Sequence, residues 1–291
     1  MISPQLQALI HQIEITTRKK VSGPLLGGAR SLVRGLGFEF NQLREYIPGD
    51  DIRFIDWKSS ARASKILVRE YLEDRNRTIY IVVDVSASTG FGTGRNEFGK
   101  PLSKANLIQQ LAAVLAFSSL HLKDSVGLVL FSEGIEKFIP ARRSRNHVLA
   151  LIQALFTHKA QAETTNLSAP LEYIARLKGQ KAIVCLLSDF LAPLDKKILS
   201  MASRHHDVLA IRCLDAREKS FPEVGTLVIE DSETHIQVPI AGADKIGRDL
   251  NLWHESQKDH LIAARVDTLD CEVGVPFTGP LLRFLRYRVY G

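Results

Sequence analysis

The sequence predicts an α/β fold: a mainly parallel sheet flanked by helices, preceded by a β-rich N-terminal segment. Three observations carry that prediction. Two apolar runs, Ile81-Val82-Val83 and Ile183-Val184-Cys185-Leu186-Leu187, suit strands covered on both faces. From residue 78 onward strand patterns alternate with helical ones, the arrangement that sets parallel strands side by side. Before residue 78, short alternating stretches and turn residues dominate.

Residues 1–77 form the N-terminal segment in this reading. A modest amphipathic pattern (Leu6, Leu9, Ile10, Ile13) opens it. Phe38-Glu39-Phe40, Ile52-Arg53-Phe54 and Leu67-Val68-Arg69-Glu70-Tyr71 alternate as half-buried strands do. Pro48-Gly49-Asp50-Asp51 supplies turn chemistry between two of them, proline fixing φ and glycine allowing a positive one. Arg44, Arg53 and Arg62 interleave with Asp50, Asp51 and Asp56, enough for an ion-pair network joining this segment to the rest of the chain.

Residues 78–291 form the larger domain. Its first strand runs to Asp84, and a helix follows at 103–121. Residues 125–131 are a second apolar strand, and Ser132-Glu133-Gly134 turns the chain into a short antiparallel edge strand at 136–139. Helical patterns at 147–156 and 167–177 precede the strand that ends at Asp189. A helix at 194–204 and a strand at 207–213 come next. Residues 226–230 and 234–238, around Asp231-Ser232-Glu233, read as a hairpin inserted near 225–240. A long helix at 243–264 and a strand near 269–273 complete the sheet.

Composition excludes several function classes. The net charge of +6 is concentrated in residues 18–77, but the arginines there alternate with carboxylates and no row of stacking aromatics accompanies them. That argues against nucleic acid. The most apolar helical region, 107–120, contains Gln109, Gln110, Ser118 and Ser119, too short and polar to span a bilayer. Met1-Ile2-Ser3-Pro4-Gln5 lacks a leader's basic start and apolar stretch, so the expectation is a cytoplasmic protein. Cys185, Cys213 and Cys271 lie in strand patterns without paired spacing, as buried thiols in a reducing compartment would. His205-His206-Asp207 ends a helical stretch and lacks further ligands at a zinc spacing.

The chemistry concentrates at strand ends. Asp84-x-Ser86-x-Ser88 closes the first strand with one carboxylate and two hydroxyls, where side chains leave the core and where open α/β sheets bind ligands. Thr164-Thr165-Asn166 brings another hydroxyl in a loop entering a helix, and Asp189 ends the buried strand that begins at Ala182. Each has an ordinary alternative: Thr165 as a helix cap, Asp189 as a turn residue. Together they are an oxygen-only set, the preference of a hard cation, Mg²⁺ or Mn²⁺. Ser86, Ser88 and Thr165 would ligate directly, Asp84 and Asp189 would hold waters, and one position would stay open.

With Asp84, Ser86, Ser88, Thr165 and Asp189 in this order, the chain resembles a von Willebrand factor A domain with a metal-ion-dependent adhesion site. It departs from the commonest pattern in having Thr164 where a glycine often precedes the threonine. Gly35-Leu36-Gly37-Phe38-Glu39-Phe40, Arg44-Glu45-Tyr46-Ile47-Pro48-Gly49-Asp50-Asp51-Ile52-Arg53 and Ile55-Asp56-Trp57-Lys58-Ser59-Ser60-Ala61-Arg62 resemble the signature of the bacterial domain of unknown function 58 family. The resemblance implies a non-enzymatic, metal-dependent protein-interaction module. Its implied partner is a protein offering an acidic side chain to the metal, a MoxR-type AAA+ ATPase or its client, in chaperone-like maturation of other proteins. Within the signature, Arg44, Tyr46, Pro48, Gly49, Asp50, Asp51, Arg53, Asp56, Trp57 and Arg62 are structural or partner-binding candidates.

A rival class is a P-loop-like NTPase. Gly94-Arg95-Asn96-Glu97-Phe98-Gly99-Lys100 fits a phosphate-loop pattern, with Asp189 as its acidic strand end. The residue after Lys100 is Pro101, which has neither the hydroxyl nor the N–H that such a loop needs. Residues 90–100 therefore read as a long flexible loop at the rim of the metal site.

Overall fold

The computed structural model describes residues 38–47, 50–73, 77–96, 99–177, 179–219, 226–241 and 243–290, together with Ile10, His11, Ile13, Glu14, Ile15 and Thr17. The chain divides into two compact units, Ser22–Asn76 and a larger one of Met1–Val21 with Arg77–Gly291.

In the smaller unit β1 (Phe38–Glu45) pairs antiparallel with β2 (Leu67–Glu73), with a register shift between Phe40 and Gln42. Helix α1 (Trp57–Ala63) lies between them in sequence. Its cap is Asp56, whose carboxylate accepts from Ser59 N at 2.9 Å and from Arg69 Nε at 2.9 Å. Ser60 Oγ donates to Asp56 O and accepts from Leu67 N, which fastens the helix to the start of β2. Ile52–Phe54, expected as a strand, is a single 3-10 turn. Asp51 accepts from Arg53 N at 3.0 Å, and that local bond outweighs a three-residue alternation. Pro48 and Gly49 lie outside the described residues.

The larger unit begins with helical Ile10 and Ile13, which pack into its core; the sequence reading had grouped them with the N-terminal segment. Then come β3 (Thr78–Asp84), the short pair β4 (Gly94–Arg95) and β5 (Pro101–Leu102), α2 (Lys104–His121), β6 (Ser125–Phe131), β7 (Ile135–Arg142), α3 (Arg145–Thr157) and α4 (Ser168–Ala175). They are followed by β8 (Ile183–Ser188), α5 (Lys196–His205), β9 (Asp207–Leu214), the single turn α6 (Ala216–Lys219), the hairpin β10 (Thr226–Glu230) and β11 (Gln237–Ala241), and α7 (Ala243–Ala263). Strand β12 (Asp267–Glu272) and helix α8 (Thr278–Tyr290) end the chain, the last helix not anticipated from sequence.

The central sheet has the order β12-β9-β8-β3-β6-β7. Its neighbours are parallel except β7, which runs antiparallel to β6, so the sheet is mixed. Pro140 sits in β7 without breaking a ladder because β7 is an edge. Alternate residues of β3 separate the two layers of helices. Ile81 and Val83 face Leu107, Ile108 and Leu111 of α2 and Leu151 and Ile152 of α3. Val82 faces the other way, among Leu171 and Ile174 of α4, Leu199 of α5 and Leu261 of α7. Burying each such Leu or Ile contributes about 1.5–3 kcal/mol. Gly127 of β6 lies under Tyr80: a Cβ there would come 2.7 Å from the ring.

This topology creates the site. Strand β3 leads through α2 to β6 on one side, while β8 and β9 lie on the other. Such a reversal opens a crevice at the carboxyl ends of the central strands. The register pairs Val83 with Leu187, so Asp84 and Ser188 leave the sheet side by side.

Candidate metal centre

Three of the five sequence-nominated residues, Asp84, Ser86 and Ser88, are hydrogen-bonded to one another. Asp84 Oδ1 accepts from Ser86 N at 3.0 Å and from Ser86 Oγ at 2.6 Å, and Ser86 Oγ lies 3.2 Å from Ser88 Oγ. The other carboxylate oxygen accepts from Ser188 Oγ at 2.6 Å. Asp84 is only 2% exposed, deeper than a strand-end position suggested. Burial first and the charge of Asp189 second push its pKa up to about 7, against the opposing hydrogen bonds from Ser188 and Ser86.

The donor set fits a small hard cation. Mg–O distances of about 2.0–2.1 Å place neighbouring octahedral ligands about 3 Å apart, close to the oxygen spacings along Asp84, Ser86 and Ser88. Among the described residues no group of three or more His, Cys, Asp or Glu side chains is placed to hold a metal. Hydroxyls therefore supply most of the candidate ligands. Mg²⁺ or Mn²⁺ held here would be bound by Ser86 and Ser88, with Asp84 supplying charge directly or through water.

Asp189 is fully buried and already paired. Its Oδ2 accepts from Lys104 Nζ at 2.7 Å, and its Oδ1 accepts from Leu191 N at 3.2 Å. Lys104 Nζ also donates to Glu218 Oε1 at 2.6 Å, and the ammonium lies 5.7 Å from the centre of the Phe91 ring. Burial pulls the Lys104 pKa down, but the charges and hydrogen bonds of Asp189 and Glu218 outweigh it and leave it raised. Glu218 is raised by burial despite Lys104. Its Oε2 accepts from Asp215 N, while the Asp215 carboxylate holds Thr93 through both N–H and hydroxyl. Lys104, Glu218, Asp215 and Ser188 are the site residues that sequence reasoning missed. Directly after Asp189, buried Phe190 has φ of 57°, a strained backbone for a bulky residue and a feature that clusters at functional sites.

Thr165 does not cap a helix; Asn166 Oδ1 accepts from Ser168 N instead. The Thr165 hydroxyl donates to Glu233 Oε1, in the turn of the β10–β11 hairpin, at 2.7 Å. The loop before it is tied to the first motif by Ala87 N, which donates to Glu163 O at 3.0 Å.

The described part of the rim stretch is not a loose loop. Gly94 pairs with Leu102, and a Cβ on Gly94 would come 2.7 Å from the Val273 side chain. Gly99 has φ of 75° in the turn where Asn96 N donates to Lys100 O. Both glycines thus have structural reasons. Lys104 N is engaged with Phe91 O, and a Ser103–Asn106 capping box closes the start of α2.

In the smaller unit the signature residues bond one another. Arg44 grips Asp50 with two bonds of 2.7 Å, and Asp50 Oδ2 also accepts from Ile47 N. Arg53 pairs with Asp51, and Tyr46 N donates to Ile66 O. The partner of Asp56 is Arg69; Arg62 sits exposed in the last turn of α1. Trp57 is 68% exposed.

A family model described as "Protein of unknown function DUF58" matches residues 42–259. The chain belongs to that family. Uncharacterized protein Rv1480 of Mycobacterium tuberculosis is 32% identical over 237 residues, 80% of this chain and 73% of the relative. Uncharacterized protein YeaD of Bacillus subtilis is 29% identical over 116 residues, 39% of this chain and 25% of the relative. A solved structure, BatB from Bacteroides thetaiotaomicron, aligns with 9% identity and a TM-score of 0.47, covering 74% of this chain and 98% of that one. An aerotolerance-related membrane protein from Bacteroides fragilis aligns with a TM-score of 0.42, 11% identity, 74% of this chain and 98% of that one. Among the described residues no helix is long and apolar enough to cross a membrane.

Proposed function

We propose that this DUF58 protein is a von Willebrand factor A-like, metal-dependent protein-interaction module without catalysis of its own. The observation that carries the reading is the convergence of the Asp84 carboxylate with the Ser86 and Ser88 hydroxyls at the end of the central strand. A divalent ion held largely by neutral oxygens keeps much of its positive charge, so a remaining coordination position favours a carboxylate from a protein partner. Guided by the family resemblance, we take that partner to be a MoxR-type AAA+ ATPase or its client, and the role to be chaperone-like. The three buried free thiols suit the reducing cytoplasm in which we place it.

Capture of partners from native lysate tests the reading. EDTA and Ser86→Ala should each remove the same partner, and combining them should add little because both abolish one interaction. A complex that survives both treatments at full strength would sink the proposal.

The NTPase reading is disfavoured by Lys100, which is exposed and whose N–H is taken by Asn96 Oδ1. Purified protein should not hydrolyse ATP above background, and Lys100→Ala should leave nucleotide binding unchanged. Turnover that disappears in Lys100→Ala would restore the rival.

A further inference from the structure

We propose that the chain supplies its own carboxylate to this centre: Glu233, at the tip of the β10–β11 hairpin, is an internal metal ligand with which an acidic partner must compete. The inference rests on the metal reading of Asp84, Ser86, Ser88 and Thr165. Glu233 Oε1 lies 2.7 Å from Thr165 Oγ1, across 68 residues of sequence. That spacing is close to the roughly 3 Å separating adjacent oxygens around a six-coordinate Mg²⁺ or Mn²⁺. A carboxylate and the threonine hydroxyl can therefore share one ion with little movement of either.

The hairpin tip is built to aim this side chain. Asp231 Oδ1 accepts from both Glu233 N at 2.8 Å and Thr234 N at 2.9 Å, and His235 N closes the turn onto Asp231 O. A second tether comes from His235, whose Nε2 lies 3.4 Å from Glu163 Oε2 while Nδ1 meets Glu230 at 3.1 Å. The tip thus touches the loop carrying Thr165 at two points, Glu163 and Thr165.

The hairpin can also let go. It forms its own two-stranded sheet, separate from the six-stranded one, so lifting it breaks no rung of the central ladder. Val228, Ile236 and Val238 are 64%, 61% and 48% exposed, leaving those hairpin side chains little apolar anchorage. A partner carboxylate that reaches the ion takes the place of Glu233, and the metal-bound state switches from self-capped to partner-capped without a change in the sheet.

The test uses the intact chain with Mn²⁺ as probe, reading affinity from the free-ion electron paramagnetic resonance signal and bound waters from proton relaxation. Glu233→Gln keeps an acceptor for Thr165 but removes the charge. It should weaken Mn²⁺ about tenfold or more, since ligand charge tunes hard-cation affinity over orders of magnitude. It should also add one Mn²⁺-bound water, which acetate then removes in the variant but not in wild type. Glu255→Gln takes one exposed charge from α7, outside the hairpin and its tethers, and should change neither quantity. Unchanged affinity and hydration in Glu233→Gln, or equal losses in both variants, overturn the inference while leaving the metal site standing. A wild-type chain that binds no Mn²⁺ overturns the metal reading and this inference with it.

Discussion

Lys104→Met should lower the stability of the fold by about 3–5 kcal/mol, the range for removing one partner of a buried ion pair. Lys104 and Asp189 are essentially inaccessible, Glu218 nearly so, and the ammonium is the shared donor for both acids. Methionine fills most of the volume, so packing changes little and the loss is electrostatic. Glu218, whose pKa burial already raises, would lose the ammonium that opposes that rise and would hold its proton more strongly, further above its unfolded value. A group so shifted destabilises increasingly as pH rises past its unfolded value, because the unfolded state then releases the proton more readily. The deficit in urea unfolding should therefore be larger at pH 8 than at pH 5. Adding Glu218→Gln should recover part of it by removing one of the stranded charges. A change within about 0.5 kcal/mol, as for an ordinary surface substitution, would show that the ammonium is not what holds these acids.

Lys104 also shows where sequence reading stops. It follows a capping serine, where a lysine reads as an exposed residue in a helix's first turn. Its partners lie 85 and 114 residues away, and only the packing of α2 against the ends of β8 and α6 joins them. One signal was available: a cation at a helix N-terminus opposes the dipole, so it implies a compensating anion. The strands β3, β6 and β8 were legible because each is centred on a continuous apolar run, which a chain this long must bury, and β9 is such a run interrupted only by Arg212. Ile52-Arg53-Phe54 misled because three alternating residues cannot outvote one capping carboxylate. The stretch read as a flexible rim misled through its glycines, one of which is required by contact with Val273 and another by a turn. The hairpin was visible as alternation near 225–240, although its second strand runs Gln237–Ala241 and not 234–238, and nothing local could reveal that its tip meets Thr165.

Asp84→Asn should abolish Mg²⁺ and Mn²⁺ binding and, with metal chelated, should remove part of the pH dependence of stability. Alanine is a poor replacement, because Asp84 is buried and the Ser86 and Ser188 hydroxyls both donate to it. Asparagine keeps the shape and one acceptor oxygen while discarding the charge that a divalent ion needs. The folded pKa of about 7 exceeds the ordinary carboxylate value, with burial as the first cause. Below the unfolded value both states are protonated and the shift costs nothing. Between roughly pH 4 and 7 the unfolded chain ionises while folded Asp84 keeps its proton, so stability falls as pH rises. Above 7 the full penalty is present, on the order of 4 kcal/mol for a difference of this size. Wild type in EDTA should lose stability across that window through this group, and Asp84→Asn should lack that contribution. Added Mg²⁺ should raise the melting temperature of wild type at pH 8 and leave the variant unmoved. Equal calorimetric affinity for Mn²⁺ in the two proteins would remove Asp84 from the centre, and with it the arrangement on which the interaction module rests.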